Sequence, residues 1–161
     1  MRFCVALMFL SSFGLAMSAP SFQGDLLDGG KISLKEKLKP GRALLVCFWA
    51  TWCTPCLEEL KSVSEKLKVE PNLGLDVLTV NVDTAETFSD VKPTLKLYGF
   101  SFPVVVDTKH EIFGKYQSEK TLPYSVLIDF QGNIQATFSG YQETMMSKVK
   151  SVISSTRLKK G

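Results

Sequence analysis

The chain has 161 residues, 45% of them apolar, 22% charged and 11% aromatic, with a formal net charge of +3. That is the length of one globular domain with apolar content for its own core, which excludes a disordered chain. Nineteen basic residues mixed evenly with sixteen acidic ones exclude a nucleic-acid binder, and four cysteines are too few for a disulfide scaffold.

In chain order, the first segment is a candidate export signal. Arg2 is followed by an uncharged, mainly apolar stretch from Phe3 to Met17, and small residues stand at Ala16, Ser18 and Ala19. A basic start, an apolar middle and a small-residue end describe a secretory signal peptide over residues 1–19. Ser11, Ser12 and Gly14 make the run short and impure for a membrane span, so an uncleaved anchor is the lesser reading. The cut point stays open between residues 16 and 19, because cleavage after Ala19 would set Pro20 beside the scissile bond. The rest, 20–161, reads as a single domain, with a formal charge of one unit less and three cysteines, Cys47, Cys53 and Cys56. An odd number leaves at least one thiol unpaired within the chain.

Asp28-Gly29-Gly30, between short apolar stretches, predicts an N-terminal hairpin, and Ser33 is placed to cap a short helix ending before Pro40-Gly41. Ala43 to Ala50 is an unbroken apolar run of eight, the pattern of a strand buried on both faces. A helix follows over Thr54–Val69, with Leu57, Leu60, Val63, Ser64 and Leu67 on its apolar side. Leu75–Val82 reads as a strand and Val91–Tyr98 as a helix with Pro93 in its first turn. Pro103–Asp107 reads as a strand and His110–Tyr116 as a short helix. Ser125–Asp129 and Ile134–Ser139 form a hairpin through Gln131-Gly132-Asn133, and a helix from 142 to about 157 ends the chain. Alternating strands and helices closed by a hairpin and a helix predict an α/β fold with a mixed sheet.

The chemistry lies in Cys53-Thr54-Pro55-Cys56, directly after the eight-residue strand and at the first turn of the amphipathic helix. Two intervening residues at a helix start bring the sulfurs within bridging range. Unpaired N–H groups and the positive end of the helix dipole favour a thiolate at Cys53, the species that attacks a disulfide. Cys56, one turn further in, is suited to resolve the mixed disulfide. Pro55 has no N–H where the first turn needs none, and stiffens the site. A zinc site lacks a second ligand pair, since Cys4, Cys47 and the lone His110 do not supply one, so no metal and no cofactor is expected. A purely structural bridge closing so small a loop would add little stability.

The segment Phe48-Trp49-Ala50-Thr51-Trp52-Cys53-Thr54-Pro55-Cys56, followed by Glu58-Glu59-Leu60, resembles the active-site segment of the TlpA/ResA-like thioredoxin-fold family. Thr121-Leu122-Pro123, followed by Ser125-Val126-Leu127-Ile128-Asp129 and Gly132, resembles that family's later groove segment. The resemblance covers roughly residues 22–155. It implies a thioredoxin-like fold: a mixed central sheet flanked by helices, with Pro103 to Tyr116 as an extra strand–helix insert. It also implies an exported thiol–disulfide oxidoreductase that reduces client proteins, placed most simply in the periplasm, with no nucleic-acid partner. Position by position, Cys53 becomes the attacking thiol and Cys56 the resolving one. Thr54 and Pro55 become part of the client contact. Pro123 becomes the family's cis-proline, although alone it reads as an edge-strand proline. Leu122 would then offer its backbone to a client strand. Glu59 matches a glutamate near the cysteines in ResA-like members; a carboxylate there can exchange the proton of Cys56 if burial raises its pKa, against the plainer reading of a solvated carboxylate beside Glu58. Trp52 is either a wall beside Cys53 or core.

Cys47 departs from thioredoxin, which has a buried aspartate at this place, and reads as an inert buried thiol. Thr54-Pro55 offers no charge to stabilise a thiolate strongly, which favours a reductant over a strong oxidant. A reductant outside the cytosol must be recharged, which implies a membrane thiol–disulfide electron donor. The peroxidase alternative lacks its threonine three residues before either cysteine, since Ala50 and Cys53 stand there. The other alternative is a module that holds thiol clients such as apo-cytochromes or metal-delivery proteins without turnover. His110 reads as a turn residue, and Met145-Met146 as core or contact surface.

Overall fold

The structure, a computed structural model, describes residues 17–158. Most of the expected export signal therefore lies outside the described residues. A seven-stranded sheet forms the centre, in the order β2-β1-β5-β4-β3-β6-β7. The strands are β1 (Gln23–Leu26), β2 (Lys31–Ser33), β3 (Ala43–Trp49), β4 (Leu75–Asn81), β5 (Val104–Val106), β6 (Tyr124–Ile128) and β7 (Ile134–Ser139). Parallel β3–β4 and β4–β5 pairs are joined to antiparallel β1–β2, β1–β5, β3–β6 and β6–β7 pairs, so the sheet is mixed as expected.

The β1–β2 hairpin turns through Gly29 and Gly30, both at positive φ (98° and 85°), where a side chain would be strained. Ser33 then caps α1 (Leu34–Lys37) with a full capping box: its hydroxyl accepts from the Glu36 N–H, and the Glu36 carboxylate accepts from the Ser33 N–H. β3 is the central strand, with every residue from Leu44 to Trp49 buried, which is why both its faces are apolar. α2 spans Thr54–Val69, α3 Val91–Tyr98 after a 3₁₀ turn over Phe88–Asp90, α4 Phe113–Tyr116 and α5 Met145–Leu158.

α4 starts later than the expected His110. Asp107 gathers the N–H groups of Ile112 and Phe113 (3.1 and 2.8 Å), which leaves His110 in the preceding turn at φ 57°. Phe48 stacks on Phe113 at 4.8 Å between ring centroids and also meets Tyr116 and Tyr124, tying β3, α4 and β6 together. Met145 and Met146 are core. α5 packs on α2, and Lys150 bridges to Glu70 just past the C-terminal end of α2.

Met17–Ala19 add to the far end of the sheet: Ser18 pairs with Asn133, the Ile134 N–H donates to the Met17 carbonyl, and the Ala19 N–H donates to the Gly132 carbonyl. No helix among the described residues is long and apolar enough to cross a membrane.

Candidate active site

The loop Ala50-Thr51-Trp52 leaves the C-terminal end of β3 and places Cys53 as the N-cap of α2. The Cys53 N–H donates to the Ala50 carbonyl at 3.1 Å, and the Cys53 carbonyl accepts from the N–H groups of Cys56 and Leu57. Cys53 and Cys56 form a disulfide with their Cα atoms 5.3 Å apart, a separation the first helical turn provides. The Cys53 sulfur accepts from the Cys56 N–H at 3.3 Å. A donor aimed at this sulfur, together with the dipole of a 16-residue helix, stabilises its charged form once the bridge is opened.

Both sulfur-bearing residues are nearly covered, Cys53 at 5% exposure and Cys56 at 1%, so Cys53 is the more accessible of the two. Thr54 and Pro55 are exposed around it. Trp52 is 62% exposed, which removes the core reading for that side chain, whereas Trp49 is fully buried. β6 begins beside the end of β3, with Tyr124 opposite Phe48. Pro123 is buried, Leu122 is half-buried, and the peptide bond between them is cis.

The loop before Cys53 is held by a network that sequence reasoning missed. Buried Asp83, just beyond β4, accepts from the Thr51 N–H (2.8 Å), the Thr51 hydroxyl (2.7 Å) and the Asn81 amide (2.7 Å). The ring of His110 reaches Val82, with its Nε2 2.8 Å from that carbonyl, so this turn residue also braces the end of β4. An aspartate just after an apolar strand-length run is ordinary in sequence, and periodicity reveals neither its burial nor its partner.

Glu59 lies on the buried side of α2 at 2% exposure, not on the solvated side with Glu58. Three residues after Cys56, it is that residue's neighbour on the same helix face. Its Oε1 accepts from the Ser125 hydroxyl at 2.6 Å, while Oε2 has no hydrogen-bond partner among the described residues. Burial pushes its carboxyl up to about 7, against the lesser downward effect of the Ser125 hydrogen bond. Cys47, opposite Ser125 in the β3–β6 pair, is a free, buried thiol. Burial foremost, and then the neighbouring Glu59, raise it far above the ordinary thiol range, so it stays protonated. No group of metal-ligating side chains occurs among the described residues.

Known proteins resemble this chain in sequence and in fold. The model of the AhpC/TSA family matches residues 15–137. The chain is similar to the thiol-disulfide oxidoreductase ResA of Bacillus anthracis, 35% identical over 128 residues, covering 80% of this chain and 71% of that one. ResA of Bacillus subtilis (strain 168) is 33% identical over 122 residues, covering 76% and 65%. Among solved structures, StoA from Bacillus subtilis superposes with a TM-score of 0.65 at 28% identity, covering 85% of this chain and 98% of that one. A thiol-disulfide oxidoreductase from Bacteroides fragilis superposes with a TM-score of 0.70 at 27% identity, covering 84% and 98%. The fold is thioredoxin-like, as the sequence resemblance implied.

Proposed function

The chain belongs to the AhpC/TSA family and is a ResA-like thiol–disulfide oxidoreductase, and on that premise we propose that it reduces the disulfides of client proteins outside the cytosol. The observation that carries the reading is the Cys53–Cys56 bridge at the start of α2, with Cys53 as the helix cap. In the reduced protein the Cys53 thiolate attacks one sulfur of the client bridge. A mixed disulfide forms and the other client sulfur leaves as thiolate. Cys56 then gives its proton to the Glu59 carboxylate and attacks Cys53. The Cys53–Cys56 bridge closes, and the client leaves with two electrons more. A carboxyl near 7 is matched to that exchange at neutral pH, because it accepts a proton readily and returns it readily.

Trp52, Thr54 and Pro55 are exposed on either side of Cys53 in the chain and would form the rim of the client contact, while a client strand would pair with the Leu122 backbone before the cis-proline. A membrane thiol–disulfide carrier recharges the pair. The export reading is supported by the apolar N-terminal stretch. Of the candidate cut points, cleavage after Ala16 keeps the pairing of Met17–Ala19 with the β6–β7 turn.

The test is insulin reduction with the wild type and Cys56→Ser. The wild type turns over, and the variant accumulates a mixed disulfide through Cys53. A protein that binds clients without reducing them would refute the enzyme reading in favour of a holding module. A Cys53–Cys56 potential near about −120 mV, the range of strong oxidants, would refute the direction of electron flow.

A further inference from the structure

Ser125 and Cys47 are directly opposite each other in the antiparallel β3–β6 pair, both turned to the side where Glu59 lies. All three are nearly inaccessible, at 0%, 1% and 2% exposure. The Ser125 hydroxyl is 2.6 Å from Glu59 Oε1, and the Cys47 thiol faces Ser125 across the strand pair. A hydroxyl has one proton to donate, here committed to Glu59, and lone pairs with which to accept, whereas a protonated thiol is a weak donor and a weak acceptor. The two contacts are therefore best satisfied together in one direction.

We infer that Ser125 and Cys47 are positioning residues acting through Glu59: the Cys47 thiol donates to Ser125 Oγ, the Ser125 hydroxyl donates to Glu59 Oε1, and Oε2 is left as the atom that takes up and returns the proton of Cys56. This deepens the reading of Glu59 as the proton acceptor and rests on it. It gives a use to the thiol at the place where thioredoxin has an aspartate. A carboxylate there would set a second negative charge beside Glu59, whereas a thiol that stays protonated adds none.

The groups facing Glu59 are few. From its own helix Cys56 stands one turn before it, and from β3 the titratable neighbour is Cys47. β6 presents the hydroxyl of Ser125. α5 buries Met145, Met146, Val149 and Ile153, and its Lys150 is engaged with Glu70 just past the end of α2. The unpartnered Oε2 is then the one acceptor of the carboxylate not already committed among the described residues.

The test follows the Glu59 side-chain carbon by NMR across pH in the oxidised protein, with Glu59→Gln identifying its signal. Ser125→Ala is expected to raise the midpoint by about one pH unit, since it removes a hydrogen bond to the charged form. Ser125→Thr keeps a hydroxyl and should restore it. Cys47→Val fills the same space without a donor and should raise the midpoint by less, whereas Cys47→Ser should hold it. The pH at which the mixed disulfide resolves should move in step. An unmoved midpoint in folded Ser125→Ala overturns the role of Ser125. Equal midpoints in Cys47→Val and Cys47→Ser overturn that of Cys47. Because the titration needs no client, a failed insulin assay with the expected midpoints would sink client reduction and leave this chain of bonds standing.

Discussion

Replacing Glu59 by glutamine removes a titratable group while nearly preserving its shape, and the effect on stability should depend on pH in a calculable way. The carboxyl lies near 4.5 when exposed and is pushed up to about 7 by burial in the folded chain. Below the first value the group is protonated in both states and burial of charge costs nothing. Between the two values the folded state holds a proton the unfolded state has lost, so stability falls as pH rises. Above the second the full cost is in place, and a shift of that size corresponds to about 3 kcal/mol. The gain from Glu59→Gln should therefore be about 3 kcal/mol larger at about pH 8 than at about pH 4. Any constant cost of seating the amide cancels in that difference. Urea unfolding of the oxidised protein and its variant at both pH values measures it. A difference that stays the same at the two pH values would mean that Glu59 is solvated or already ionised in the fold, and the proton-transfer argument would fall with it.

Two further outcomes are expected. Trp52→Ala should leave urea stability within about 0.5 kcal/mol, because the ring is 62% exposed, yet slow insulin reduction several-fold by removing the rim beside Cys53. Unchanged turnover would take Trp52 out of the client contact. Asp83→Ala strands the Thr51 N–H and the Asn81 amide, and should cost about 3 kcal/mol while loosening the loop that presents Cys53. A loss below about 0.5 kcal/mol by the same urea measurement would show that water replaces the carboxylate there.

The fold was legible where the periodic pattern and the packing agree. The apolar run from Ala43 is the strand with both faces covered, and the three- and four-residue steps of α2 give Thr54–Val69, the bounds observed. The cysteine pair was legible because its chemistry depends on local placement, a strand end followed by a helix start. The orientation of Glu59 was not. The helical steps allow it on the margin of the apolar side, and what draws it inward is Ser125, sixty-six residues later. The Asp83–Thr51 bond spans thirty-two residues and the His110–Val82 contact twenty-eight. Neither leaves a trace in composition or spacing, since each depends on how the sheet brings distant strand ends level. The short helix after β5 starts later than its pattern implies for a local reason: Asp107 captures two N–H groups, five and six residues further on, and delays its start.

The docking of Met17–Ala19 on the β6–β7 turn has a geometric consequence. β6 runs away from the cysteines, so that turn is at the opposite pole of the sheet, roughly 20 Å off along a strand of this length. Any attachment made through the residues before Met17 would hold the molecule by its back, with the reactive tip pointed outward and free to sweep for clients.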